Sequence, residues 1–183
     1  LETDNFVKSK TVTTEEQILI NINEAANKFF TKHLFSTKGS KALNYLKDRG
    51  LSLDTIKKFK IGFSPSKNDD LILFLKAEGY AEQDIEKAGL AFRPENKSLI
   101  DRFKNRVMFP ISNLDNRVVA FGGRSLNTSY GAKYINSAES KVFKKGSILF
   151  NLKNAQKRNK NNPIIIVEGY MDVISLANNS INN

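Results

Sequence analysis

The chain has 183 residues, 40% of them hydrophobic and 10% aromatic with 13 phenylalanines, the composition of a folded protein with room for one or two domains and a sizeable core. No run approaches the length of a membrane span, the first residues lack a secretory signal, and zero cysteine excludes disulfides and cysteine-based metal sites or nucleophiles. The single histidine further disfavours zinc, and 29 Lys+Arg against 19 Asp+Glu give a net charge of +10, which favours polyanionic partners: nucleic acid first, an anionic membrane surface second.

Residues 1–12 are polar, aperiodic and begin without methionine, and read as a linker. Thr13-Thr14-Glu15-Glu16 fits a capping box, behind which Ile18, Ile22, Ala25, Phe29 and Phe30 fall on one face of a long amphipathic helix expected to end near Lys38-Gly39. His33 has no nucleophile signature beside it and reads as an ordinary helix histidine. Shorter helices are predicted over 40–49, from 52 or 54 to 60, over 70–78 and over 81–88, with Gly50, Gly79 and Gly89 as stop signals.

Composition shifts near residue 98. Val107-Met108-Phe109-Pro110-Ile111 reads as an apolar strand, 114–117 as turn chemistry and Val118-Val119-Ala120-Phe121 as the returning strand of a hairpin. Gly122-Gly123, just before Arg124, fit a bulge or strand end, or a close approach to a ligand. Lys133-Tyr134-Ile135-Asn136-Ser137 and Val142-Phe143-Lys144-Lys145-Gly146 place cations beside aromatic rings in loop-like sequence, a pattern suited to single-stranded nucleic acid. Of the cations 22 are lysine and 7 arginine, beside 21 asparagines; an AT-rich coding sequence produces that bias without selection, so the arginines carry more weight.

After a basic connection from Lys153 to Lys160, four β-branched residues, Ile164-Ile165-Ile166-Val167, follow Pro163 and read as a fully buried strand. Glu168 ends it, Gly169 supplies a turn, and Val173, Ile174, Leu176 and Ala177 recur at helical spacing. A carboxylate at the carboxyl end of a sheet strand can ligate Mg²⁺, act as a general base, or sit favourably at the next helix N-terminus.

Val167-Glu168-Gly169-Tyr170-Met171-Asp172 resembles the first signature of the TOPRIM domain in its bacterial DnaG-type primase spelling. The likeness extends from about Asn44 to Leu176, through Tyr45-Leu46-Lys47-Asp48-Arg49-Gly50-Leu51-Ser52, Ile61-Gly62-Phe63-Ser64-Pro65, the run from Asp101 to Ile111, Phe121-Gly122-Gly123-Arg124 and 133–137, in that family's order. The resemblance implies an α+β fold: a helical first half, a mixed or antiparallel sheet, and the first β-α unit of a TOPRIM subdomain. It divides the chain into a linker over 1–12, an N-terminal subdomain of the catalytic core over 13–155, and the start of TOPRIM over 156–183.

It implies a DNA primase, an RNA polymerase that makes short primers on single-stranded DNA from ribonucleoside triphosphates, cytoplasmic and at the replication fork. Partner contacts with the replicative helicase would use a region absent here, and no membrane is expected. Glu168 takes the position of the TOPRIM acidic residue, binding Mg²⁺ or Mn²⁺, with Asp172 either assisting from the helix start or serving the helix dipole. Arg102, Arg106, Arg124, Lys133, Tyr134 and Lys145 take the positions that handle DNA and nucleotide. Zinc is expected only in the family's N-terminal module, and the later Asp-x-Asp pair is absent from 1–183, so the fragment alone is expected to be inactive. Two other readings stand beside this one: another TOPRIM protein, such as a topoisomerase or OLD-type nuclease, and a non-enzymatic basic module binding nucleic acid through charge alone.

Overall fold

In a computed structural model, which describes residues 12–127, 131–156 and 163–182, the chain opens on the expected capping box. The Thr13 hydroxyl accepts from the Glu16 N–H at 3.2 Å, and the Glu16 carboxylate accepts from the Thr13 N–H at 2.8 Å, satisfying two donors that the helix itself cannot. The first helix, α1 (Thr14–Leu34), buries Leu19, Ile22, Ala26, Phe29 and Phe30 on one stripe. It ends short of Gly39, because the chain folds back through a 3-10 turn (Thr37–Gly39) onto the helix end. A Cβ at Gly39 would lie 2.2 Å from the His33 carbonyl oxygen, so only glycine permits that return.

Four short helices follow, α2 (Ser40–Asp48), α3 (Leu53–Lys58), α4 (Asp70–Ala77) and α5 (Glu82–Lys87). The predicted glycine stops hold: Gly50, Gly79 and Gly89 come after α2, α4 and α5 with positive φ. Strand β1 (Gly62–Ser64) lies between α3 and α4, and a ribbon of β2 (Ala91–Phe92) with β3 (Ile100–Asp101) follows α5. The main strands are β4 (Arg106–Ser112), β5 (Val118–Ser125) and β6 (Tyr134–Asn136), and the antiparallel sheet runs β1-β4-β5-β6. The stretch around Lys133–Ser137, loop-like in sequence, thus supplies an edge strand. After it come α6 (Leu152–Ala155) and α7 (Tyr170–Asn178).

Helices cover both faces of the sheet. On one face, α1 packs Phe30 edge-on against Phe121 at 5.2 Å between centroids, in a cluster with Met108 and Phe103. Asn23, fully buried on α1, donates to the carbonyls of Leu19 and Val119 and so ties the helix to β5. On the other face, Val107 and Phe109 meet Leu46 of α2, Ile56 of α3, and Met171 and Ile174 of α7. Truncating Phe30 or Phe109 to alanine would cost about 3–5 kcal/mol, since both are fully buried. The α+β organisation expected from sequence is the one observed, helices first and antiparallel sheet after.

Two local expectations change. Strand β5 runs straight through Gly122-Gly123 instead of bulging or ending there. The glycines serve close approach: a Cβ on Gly122 would lie 2.4 Å from the Tyr170 ring, and one on Gly123 2.6 Å from the Phe103 ring. The run 163–167 is not a buried strand. It pairs with no strand among the described residues, and Ile164, Ile165 and Ile166 are exposed, Ile166 at 79%. β-branched composition sets a preference for extended backbone, but a strand exists only where a neighbour completes its hydrogen-bond ladder. Residues 1–11 of the expected linker and 157–160 of the basic connection lie outside the described residues.

Candidate nucleic-acid and metal site

The helix α7 face of the sheet carries the site. Cross-strand register aligns Phe109 of β4, Gly122 of β5 and Asn136 of β6 in one row, and Val107, Arg124 and Tyr134 in another. Residues two apart on a strand share a face, so the rows lie about 7 Å from each other along it. The Arg124 guanidinium carbon sits 4.0 Å from the centroid of the Tyr45 ring. That cation–π contact uses the flat face of the guanidinium; at its edge Nη1 donates to the Ser125 carbonyl at 3.3 Å and the group also meets the Tyr134 phenol, so a phosphate would take the remaining N–H groups. Burial pushes the Tyr134 phenol up, and the neighbouring Arg124 and Arg49 charges hold it partly down.

Lys133 and Lys145 enter the same space as exposed side chains. The loop bearing Lys145 is pinned by Phe143, which is 3% exposed and packs against Ile20, Ile111 and Val119. Its backbone is held as well, since the Lys145 N–H donates to the Glu139 carboxylate at 3.3 Å. Glu168, in the turn before α7, lines one open cleft of about 700 Å³ together with Arg124, Lys133 and Lys145. Arg49 lines it too, a residue the sequence reading did not single out. Its signal was the four-residue spacing from Tyr45 on α2, which puts both on one helix face.

The remaining predicted residues are differently engaged. Arg106 is buried, and its guanidinium donates to the carbonyls of Gly123 at 3.1 Å and Ala132 at 3.0 Å, with a longer contact to Lys133 at 3.4 Å. Arg102 is half-buried, and its Nε donates to the Asn136 carbonyl at 2.7 Å. Burial lowers the pKa of both. Neither lines the cleft; both instead brace its sheet edge. Asp172 lines the cleft but accepts the Gly169 N–H at 3.1 Å, capping α7. His33 Nδ1 meets the Phe29 carbonyl and its ring lies 4.2 Å from the Phe29 ring, a helix residue in local contact.

Among the described residues no group of three acidic or histidine side chains could hold a metal ion. Magnesium is commonly bound through one or two carboxylates, with water and substrate phosphates completing the shell. Glu168, exposed and lining the cleft, fits one such ligand and no more.

A carboxylate that shares one cleft with Arg124, Lys133 and Lys145, on an α+β core with the Tyr45 and Tyr134 rings in the same cleft, is an arrangement suited to polyanionic ligands. Residues 29–156 match the family model described as DNA primase catalytic core, N-terminal domain, and the chain belongs to that family. It is 44% identical over 165 residues to a DNA primase of Clostridium acetobutylicum, a match covering 90% of this chain and 27% of the relative. A primase of Pseudomonas putida is 43% identical over 163 residues, covering 87% of this chain and 24% of the relative. The chain therefore spans about a quarter of the length of these curated relatives.

Among solved structures, the RNA polymerase domain of Mycobacterium tuberculosis primase DnaG, in complex with a double-stranded DNA oligomer with a 6-nucleotide overhang, superposes with a TM-score of 0.85 at 32% identity. That match covers 91% of this chain and 52% of the other. The DnaG primase catalytic domain bound to ssDNA gives a TM-score of 0.81 at 38% identity, covering 92% and 52%. The family match ends before the turn at Glu168.

Proposed function

We propose that this chain is part of the catalytic core of a DNA primase, which makes short RNA primers on single-stranded DNA at the replication fork. One observation carries the reading: Glu168 and the cations Arg124, Lys133 and Lys145 line the same cleft. Primer extension joins a 3′-hydroxyl to the α-phosphorus of a ribonucleoside triphosphate; the hydroxyl loses its proton, the new phosphodiester forms and pyrophosphate leaves. The substrates carry several negative charges, so holding them is mostly electrostatics and positioning. Arg124, steadied by Tyr45, and the exposed heads of Lys133 and Lys145 hold phosphates, while the Tyr134 ring offers a face to an unpaired base.

Glu168 contributes one carboxylate ligand to Mg²⁺ or Mn²⁺. The chemistry such a cation would supply is charge neutralisation at the triphosphate. A single carboxylate does not complete such a site, so the activity belongs to a longer primase that contains these residues. Contact with the replicative helicase would fall outside them.

Salt titration of single-stranded DNA binding tests the reading. Lys133→Ala and Arg124→Ala should each weaken binding and reduce the slope of log K against log salt by roughly 0.7 per lost phosphate contact. Lys57→Ala and Lys58→Ala, on α3 and outside the cleft, should leave the slope unchanged. Equal losses at all four positions would indicate binding by total charge, the non-enzymatic reading.

A further inference from the structure

Glu168 stands in the turn that opens α7, and to act with Arg124 and Lys133 it must be held in place against the sheet. We propose that Tyr170 is the positioning residue that does this, a key inserted into the sheet two residues beyond the carboxylate. This inference rests on Glu168 being the reacting carboxylate of the proposed primase.

The Tyr170 ring lies across the Phe109–Gly122–Asn136 row. It stacks on Phe109 with centroids 5.6 Å apart and an interplanar angle of 12°. It covers Gly122 so closely that an added Cβ would come within 2.4 Å of Cε2, 2.7 Å of Cζ and 2.9 Å of the hydroxyl oxygen. Its hydroxyl donates to the Asn136 side-chain oxygen at 2.9 Å. Asn136 is fixed in turn, its carbonyl taking the 2.7 Å hydrogen bond from Arg102. Three strands thus define where the ring sits, and the Arg124–Tyr134 row is the next one along the same face. The far end of α7 has its own anchor: the Asn178 side-chain oxygen accepts from the Ser52 N–H at 3.0 Å and the Thr55 hydroxyl at 2.8 Å, and its amide donates to the Gly50 carbonyl. Removing the Tyr170 key therefore leaves α7 attached while freeing the end that bears Glu168.

The test uses a full-length primase carrying these residues. Tyr170→Ala should lower kcat by roughly 100-fold, the scale of an ångström-level misplacement. The KM for nucleotide and the Kd for single-stranded DNA should stay near wild type. Tyr170→Phe, which loses only the bond to Asn136, should lose about fivefold. Gly122→Ala reaches the ring from the other side and should match Tyr170→Ala in the wild-type background, yet add nothing once Tyr170 is alanine. Hydrogen exchange should show the amides of Gly169, Asp172 and Val173, which close the first turn of α7, opening faster in Tyr170→Ala with those of 175–178 unchanged, a readout independent of turnover. Wild-type kcat in Tyr170→Ala, with Glu168→Gln inactive, would overturn the positioning role alone. Additive losses for Gly122→Ala and Tyr170→Ala would overturn it as well. Full activity in Glu168→Gln would overturn the underlying reading and this inference with it.

Discussion

Arg106→Met asks whether a cation in the family's motif touches nucleic acid or holds the sheet. The guanidinium makes two good hydrogen bonds, to Gly123 at 3.1 Å and Ala132 at 3.0 Å, and one long contact to Lys133 at 3.4 Å. A hydrogen bond involving a charged group contributes about 1.5–3 kcal/mol, so the two good ones are worth about 3–6 kcal/mol. Methionine fills much of the volume of the stem and spares the cost of burying a charge, which offsets part of the loss. A net destabilisation of about 2–4 kcal/mol follows, a large share of a typical domain's 5–15 kcal/mol. Urea denaturation measures it as a fall in the midpoint of about 1–2 M, for a slope near 2 kcal/mol per molar. In conditions where the variant is folded, the salt slope of single-stranded DNA binding should equal that of wild type, because no phosphate contact has been removed. A variant of unchanged stability whose salt slope falls by one contact would refute the bracing role and make Arg106 a groove residue.

Asp101 sets a pH dependence of the opposite sign to most carboxylates. It is 2% exposed and accepts the Leu71 and Ile72 N–H groups at the start of α4. Burial outweighs those two donors and pushes its pKa up to about 7, with Asp69 and Asp70 adding repulsion. Between the unfolded value near 4 and about 7, the folded state keeps a proton that the unfolded state has lost, so stability falls as pH rises through that window and levels off above it. Unfolding free energies should therefore drop from pH 5 to pH 7 by at most about 1.4 kcal/mol per unit from this group. Asp101→Asn should remove that component, and an Asp101→Asn profile parallel to wild type would exclude it. Residues 1–183 alone should show no template-directed ribonucleotide polymerisation with Mg²⁺; product formation would mean that one carboxylate suffices.

The helices were legible because their punctuation is local: a capping box at Thr13 and glycines at 50, 79 and 89 act within a turn of the chain. The hairpin was legible for the same reason, an apolar run on each side of a turn whose Asn116 takes a left-handed conformation. The cleft cations were found through order of motifs, which fixes residue type and strand but not the direction of a long side chain. Arg106 illustrates this. Gly123 lacks a side chain where the Arg106 stem passes, 3.1 Å from where a Cβ would stand, and that vacancy turns the guanidinium into the protein. Nothing local in the sequence encodes a pairing between 106 and 123, nor the contact of Tyr170 with Gly122, 48 residues earlier. The strand expected at 164–167 failed for the complementary reason, since a ladder depends on a neighbour that composition cannot supply.

Glu168 does chemistry in a cleft whose cations do the holding. Primer synthesis and single-stranded DNA affinity measured side by side for Glu168→Gln in a full-length primase test it most directly. The account predicts loss of synthesis by orders of magnitude with affinity nearly unchanged, because a carboxylate does not attract phosphates. Wild-type synthesis, or a loss that simply tracks weakened DNA binding, would contradict it.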